Sequence, residues 1–275
     1  MSLGFMAWTL LGQWLALAAV MGVAWLVQQR TGNSGWVDVA WTFGVGVAGA
    51  AGALAMSAGE AWTERQLLVA ALVSLWALRL GSYIVGRSLH ASDDPRYAEL
   101  TKTWGEAAPR MMAGLLQAQA VASLPLVLAV TVAAQRPGAG VTWADLLGAA
   151  LLAVAILGEG IADRQLAAFK ADRANSGRVC DRGLWGWSRH PNYFFQWLGW
   201  LAYPVMAIDP SGSYAVGWLS LGAPVAMYWY LVHVSGIPPL EAHMLRSRPE
   251  AYRSYQARTS AFFPLPPATE PRLAR

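Results

Sequence analysis

The sequence predicts an all-α, polytopic membrane protein, and three observations carry that prediction. Apolar residues fill 56% of the 275 positions and charged residues only 13%, where a water-soluble domain carries about 25% charged residues. The apolar residues collect into runs long enough to cross a bilayer. The basic residues collect in alternate connections between those runs.

Runs of about 20 residues, the length of a membrane helix, lie near 5–27, 35–57, 67–86, 112–134, 144–163, 194–208 and 214–234, the sixth being short. No basic residue precedes the first, so it lacks the charged start of a secretory signal and reads as a retained helix. With the N-terminus outside, the inner connections hold Arg30, then Arg87, Arg96, Lys102 and Arg110, then Arg164 to Arg189, then Arg246 to Arg275. That arrangement puts seventeen of the twenty basic residues on one side, and only Arg65 and Arg136 outside. Cytoplasmic loops carry such an excess, so seven spans with a cytoplasmic C-terminus are expected.

No repeat or flexible linker interrupts the chain, and a single domain over 1–275 is expected. The one cysteine, Cys180, excludes an internal disulfide and a cysteine-based metal site. No metal site and no nucleic-acid motif is visible. Gly44-Val45-Gly46-Val47-Ala48-Gly49 matches a dinucleotide fingerprint literally. It follows no strand and opens no βαβ unit, so the match fails, and small residues there let helices approach closely. Past the seventh run, Ile237-Pro238-Pro239 ends the span. Glu241 to about Tyr255 suits one cytosolic or interfacial helix, which Phe262-Phe263-Pro264 would pack back onto the bundle.

Arg182 to Gln196 is the stretch where a basic connection returns to apolar sequence. Arg189, His190, Asn192, Tyr193 and Gln196 stand directly against apolar residues, and such groups survive at membrane depth only inside protein or beside a wet cavity. If Pro191 opens a helix, Asn192 and Gln196 share a face and the first-turn amides can meet an anion. An Arg/Trp interface anchor is the plainer alternative.

Ionisable residues within spans are costly and are candidates for function. Asp38 lies between Trp36 and Trp41, and serves either as a functional acid, or as a helix-start acid or salt-bridge partner of Arg79. Arg79 shares one helix face with Trp76 and Tyr83. Glu159 and Asp163 lie one turn apart, where Arg164 or Lys170 could neutralise them. The basic loop 164–189 is either a lipid-attracting surface or a phosphate site built on arginine. The neighbouring acids favour a nucleotide, since a dinucleotide offers ribose hydroxyls and a carboxamide beside its phosphates.

The run Asp163-Arg164-Gln165-Leu166, Gly183-Leu184-Trp185, Arg189-His190-Pro191-Asn192-Tyr193-Phe194 and Gln196 resembles the C-terminal domain of steroid 5α-reductases, and is closest to their bacterial membrane relatives. Gly236-Ile237-Pro238, Glu241, Met244, Pro249-Glu250-Ala251-Tyr252, Tyr255, Thr259, Phe262 and Pro264 fit the same group. The clear similarity covers roughly 140–267 and a weaker one Gly35–Tyr97. The resemblance implies an enzyme of the bacterial inner membrane that uses NADPH to reduce the carbon–carbon double bond of an α,β-unsaturated ketone.

The resemblance divides the chain into substrate-side helices, 1–135, and a cofactor-binding half, 140–267, facing the cytoplasm. It assigns Glu159, Asp163, Lys170, Arg178, Arg189, His190, Asn192, Tyr193, Gln196, Glu241, His243, Tyr252 and Arg258 to NADPH. Asp38, Trp41, Trp76 and Arg79 go to the substrate, with Asp38, Trp76 and Tyr83 in the catalytic group. Trp76 stands where the family has a substrate tyrosine. In an apolar pocket, desolvation would keep the Asp38 carboxyl protonated at neutral pH, able to serve the substrate carbonyl. The implied substrate is a lipophilic small molecule entering from the bilayer, the implied partners are membrane lipids, and a monomer is expected. Arg-His-Pro-x-Tyr with a Glu-containing tail also resembles membrane methyltransferases that use S-adenosylmethionine, and a non-catalytic sterol- or lipid-binding protein on the same scaffold is a third alternative.

Overall fold

A computed structural model describes residues 2–56, 61–90, 93–138 and 140–268. The chain is 80% helical, with no strand among the described residues. The described residues form, in order, the α-helices α1 Leu3–Thr31, α2 Gly35–Ala53, α3 Glu64–His90, α4 Pro95–Trp104, α5 Ala108–Ala122, α6 Leu124–Ala134, α7 Trp143–Ala171, α8 Leu184–Trp187, α9 Pro191–Trp200, α10 Ala202–Ala207, α11 Gly222–Trp229, α12 Ile237–Ser247 and α13 Pro249–Arg258.

Among the described residues five helices are long and apolar enough to cross a membrane: Leu3–Thr31, Glu64–His90, Pro95–Ala134, Trp143–Ala171 and Ala215–Ser247. The second and sixth expected runs fall outside that set. α2 has 19 residues, but Gly35, Gly44, Gly46, Gly49 and Gly52 dilute its apolar character. α9 has 10 residues and α10 has 6, and ten residues rise only about 15 Å against a hydrocarbon core of about 30 Å.

The chain divides into two compact units, one of residues 1–149 and 202–226, the other of 150–201 and 227–275. In the first, α2 packs against α1, α3 and α6, and its glycines make those contacts possible. A Cβ on Gly46 would run into the Ala77 side chain, and one on Gly52 into Gln13 and Thr131. The Gln13 amide uses the space left at Gly52, donating to the Ala48 carbonyl at 2.9 Å and to Thr131 Oγ1 at 3.0 Å. The glycine-rich stretch is therefore helix-packing surface, as its failed fingerprint implied.

Arg65 and Asp145 fasten one end of this unit. Their side chains are 2% and 0% exposed, with Nε to Oδ2 at 3.1 Å. The remaining guanidinium nitrogens donate to the carbonyls of Arg136, Gly138 and Gly140, while Thr142 N–H and Oγ1 and Arg136 Nη2 all donate to Asp145 Oδ2. A charge pair taken this far from water survives only when its other hydrogen-bonding capacity is filled.

In the second unit, α8 and α9 lie along the later half of α7. The contacts form a steady register: Gly199 against Leu152 and Ala155, and Gly158 against the Phe195 ring. Next, Trp185 Nε1 donates to the Ala162 carbonyl at 2.9 Å, and Gln165 Oε1 caps the Leu184 amide at 2.9 Å. Gly183, at φ 59, turns the loop into α8 in a conformation that suits glycine.

The single tail helix expected from Glu241 to Tyr255 is instead two. α12 ends at Ser247 and α13 starts at Pro249. Proline removes a backbone donor and disfavours helical geometry in the residue before it, so Arg248 takes φ −145 and ψ 61. Phe262 then closes back on Phe194, Trp197 and Tyr228 at ring separations of 5.3–6.0 Å, and Ser188 pairs with Ser260 in an isolated bridge.

Replacing Arg65 with Leu leaves Asp145 buried beside a single remaining cation. Breaking a buried pair in this way costs about 3–5 kcal/mol, so the detergent-solubilised variant should melt well below wild type. The double variant Arg65→Leu/Asp145→Leu should recover most of the loss. Equal melting of wild type and single variant would show the pair to be dispensable.

Candidate functional site

Pro191 occupies the first turn of α9, and the connection before it is held by one carboxylate. Glu241 Oε1 accepts from Arg189 Nε at 2.7 Å and lies 3.1 Å from His190 Nε2; its Oε2 accepts from Arg189 Nη2 at 3.3 Å and Gln256 Nε2 at 2.7 Å. Arg189 Nη1 also donates to the Thr259 carbonyl at 2.6 Å. Burial pushes the His190 imidazole below its ordinary pKa, outweighing the pull of Glu241 in the other direction. A neutral ring beside an acceptor-only carboxylate carries its proton on Nε2. The ring stacks on Tyr193, with centroids 5.4 Å apart. Arg189, His190 and Glu241 thus join the 182–196 stretch to α12 and α13, with their hydrogen-bonding capacity turned toward the protein.

A second polar group lies on the packed α7–α9 pair. Glu159 and Asp163 are 6% and 4% exposed, and Gln196 is 8% exposed. The register that sets Gly158 against Phe195 and Ala162 against Trp185 brings these two acids of α7 beside the α9 segment that carries Asn192 and Gln196. Asn192 is half-buried, and its Oδ1 accepts from the Tyr193 amide at 3.1 Å. Carboxylates and carboxamides at this depth suit hydroxyl and amide partners.

The basic candidates lie at the surface. Lys170, Arg178 and His243 are exposed, and Arg258 reaches Asp181 at 3.7 Å. Arg178, Arg182 and Arg258 line a hollow of about 260 Å³ with Phe169, Ser254 and Tyr255. Tyr252 and Tyr255 are buried, and the Tyr255 hydroxyl donates to the Trp185 carbonyl at 2.5 Å. Arg182, one of the arginines of the basic loop 164–189, is exposed on that hollow. Among the described residues no group of three or more His, Cys, Asp or Glu could hold a metal ion.

In the first unit Asp38 has different surroundings from the apolar pocket expected. Arg96 Nη2 donates to Asp38 Oδ2 in a short contact, Arg87 Nη2 lies 3.6 Å from the same oxygen, and the Tyr97 hydroxyl donates to Oδ1 at 3.2 Å. This corrects the apolar-pocket expectation: two guanidinium groups and a phenol surround the carboxyl. Asp38 is joined to Arg96 and Arg87, and the Arg79 guanidinium lies over the Tyr83 ring at 5.7 Å. Trp41 and Trp76 meet edge to face at 6.4 Å. Burial alone would raise the Asp94 carboxyl, but its bonds to Arg96 and the nearby Arg87 hold it below the usual carboxylate range. Arg96, Tyr97 and Gln119 were missed in the sequence, although Asp94-Pro95 is a legible helix start: the Asp94 side chain caps α4 and Pro95 opens it.

A family model matches residues 24–259 of the chain. The chain belongs to the family described as "Protein of unknown function (DUF1295)". That match takes in both polar groups and the Glu241 clamp, from the end of α1 to the residue after α13. No curated protein matches the chain, and no solved structure does.

Removing the Glu241 charge while keeping its shape tests the clamp. Glu241→Gln leaves Arg189 without its counter-charge in a mostly buried position, which should cost about 3–5 kcal/mol. Limited trypsinolysis should then cleave at Arg253 or Arg258 many times faster than in wild type. Unchanged cleavage would show that the tail is held mainly by the Phe262 contacts.

Proposed function

We propose that this DUF1295 protein is an NADPH-dependent reductase of lipophilic α,β-unsaturated ketones, acting within a membrane. The observation that carries the reading is the set Glu159, Asp163 and Gln196, buried along the α7–α9 pair beside the half-buried Asn192, carboxylates and carboxamides of the kind that take ribose hydroxyls and an amide. The family's association with steroid 5α-reductase-like proteins supports it.

The donor set fits a phosphorylated dinucleotide. Asp163, Glu159, Asn192 and Gln196 would take ribose hydroxyls and the carboxamide, and the surface arginines Arg178, Arg182 and Arg258 would take phosphates, where bidentate guanidinium contacts are strongest. When bound, the reduced nicotinamide supplies hydride, and the protein supplies position and electrostatics. Arg189, His190 and Glu241 contribute by fixing the loop and tail. In the other unit, Asp38 and its neighbours, with Trp41 and Trp76, form the group that would receive a carbonyl-bearing ligand. The proposed topology has α2 and the α9–α10 pair as two further crossings, giving seven spans, an outside N-terminus and a cytoplasmic basic loop.

Asp163→Ala and Asn192→Ala should each weaken NADPH binding roughly ten- to a hundred-fold, the effect of about 1.5–3 kcal/mol for a hydrogen bond involving a charged group. Titrating NADPH, with S-adenosylmethionine as the comparison ligand, decides the matter. Wild-type affinity in both variants, or selective binding of S-adenosylmethionine, would end the reductase reading.

Orientation can be read by labelling, though native Cys180 is a poor reporter. It is buried, and burial raises its thiol pKa, so it would react slowly from either side. In a Cys180→Ser background, Ser176→Cys places an exposed thiol on the same loop. An impermeant maleimide should label it only after cells are opened; labelling of intact cells would put the loop outside.

A further inference from the structure

We infer that the elbow between α12 and α13 binds a phosphate group, with Arg248 as its cation, at a site separate from the proposed cofactor groups. A hollow of about 340 Å³ opens at this elbow, lined by Gly177, Ser247, Arg248, Pro249, Glu250 and Ala251. It shares Gly177 and Ala251 with the hollow of Arg178, Arg182 and Arg258, but its cation is its own.

Arg248 is the observation that carries the site. It is partly buried, and its Nε is closed off from solvent with no hydrogen-bond partner among the described residues. Its Nη1 donates to the Met244 sulfur at 3.7 Å, a weak acceptor. Arg65, Arg96 and Arg189, also withdrawn from water, each meet a carboxylate. A guanidinium drawn from water without an anion is costly, and Arg248 stands at the edge of a space large enough to admit one. The break in the tail sets it there: Pro249 pushes the preceding residue out of helical geometry, so Arg248 takes φ −145 and ends α12. The same break leaves a second demand at the same place. The first-turn amides of a helix have no acceptor within it, and the cap position of α13 is Arg248 itself, with no side-chain capping bond. An arginine only donates, so it cannot supply the oxygen that those amides lack. One tetrahedral oxyanion meets both demands, some oxygens accepting from the guanidinium fork and another from the amides of Glu250 and Ala251. Glu250 is exposed, the acid of the lining, and its charge opposes the anion. A soluble phosphate ester and the headgroup of phosphatidic acid both carry the group that this site recognises.

Phosphorus NMR tests the site and names the source. The full-length protein in phosphatidylcholine nanodiscs is titrated with inorganic phosphate, and the ³¹P linewidth is followed; in a second arm, phosphatidic acid is included in the disc and its own ³¹P line is followed. Binding from solution broadens the inorganic phosphate line, and binding from the bilayer broadens the phosphatidic acid line. In whichever arm responds, Arg248→Gln should weaken binding roughly ten- to a hundred-fold, as expected for hydrogen bonds to a charged group. Glu250→Gln should tighten it about twofold, the scale of an exposed charge, a gain that a misfolded variant would not show. Neither line responding in wild type, or both variants responding as wild type does, would overturn the inference. NADPH should bind wild type and Arg248→Gln equally. A parallel loss of NADPH affinity would join Arg248 to the cofactor's arginines and overturn the separate site, while leaving the reductase reading standing.

Discussion

The Glu241 carboxylate is the point on which the second unit depends. It accepts from Arg189, His190 and Gln256, three residues spread over the loop and the last helix. Without it a guanidinium and an imidazole would face each other in a mostly buried space. An arrangement of this kind adds little net stability relative to apolar packing, but it penalises every conformation in which a partner is missing. The tail helices are short, 11 and 10 residues, below the length at which an isolated helix persists in water. Their order is therefore imposed from outside, by Glu241 on one side and by the Phe262 aromatic contacts on the other.

That clamp sorts the polar residues of the stretch by what they bond. Arg189 and His190 spend their hydrogen bonds inside the protein, so the Arg-His-Pro sequence is explained by folding alone and does not discriminate between one cofactor and another. Glu159, Asp163 and Gln196 stand on an α7–α9 contact otherwise made of glycine, leucine, alanine and phenylalanine. Two carboxylates one turn apart, 6% and 4% exposed, persist at that depth only with partners for their charge.

Much of the helical architecture was legible in the sequence because its causes are local. Apolar runs, Pro191 at a helix start and small residues where α2 meets its neighbours all follow from backbone and bilayer physics. Two kinds of feature were hidden. The break at Arg248–Pro249 sat inside a segment of mixed polarity, where periodicity was too weak to show that one helix was two. The environment of Asp38 depended on Arg96 and Tyr97, 58 and 59 positions away, on a helix that apolarity gives no reason to place there. Flanking tryptophans suggested an apolar pocket, but flanking residues on a helix point around its circumference and do not determine what faces the carboxylate.

The two ion-paired clusters of the first unit show why exposure must be read together with pairing. Arg65 and Asp145 have no access to water, and the backbone carbonyls of 136, 138 and 140 complete the arginine's bonding; nothing in that cluster can turn outward without leaving a buried charge unmatched. Asp38 has two cations, a phenol and partial exposure. Its charge stays balanced if the phenol proton is given to another acceptor, since the guanidinium contacts remain. The first cluster is therefore confined to holding the fold, whereas the second keeps its charges matched at a partly exposed position.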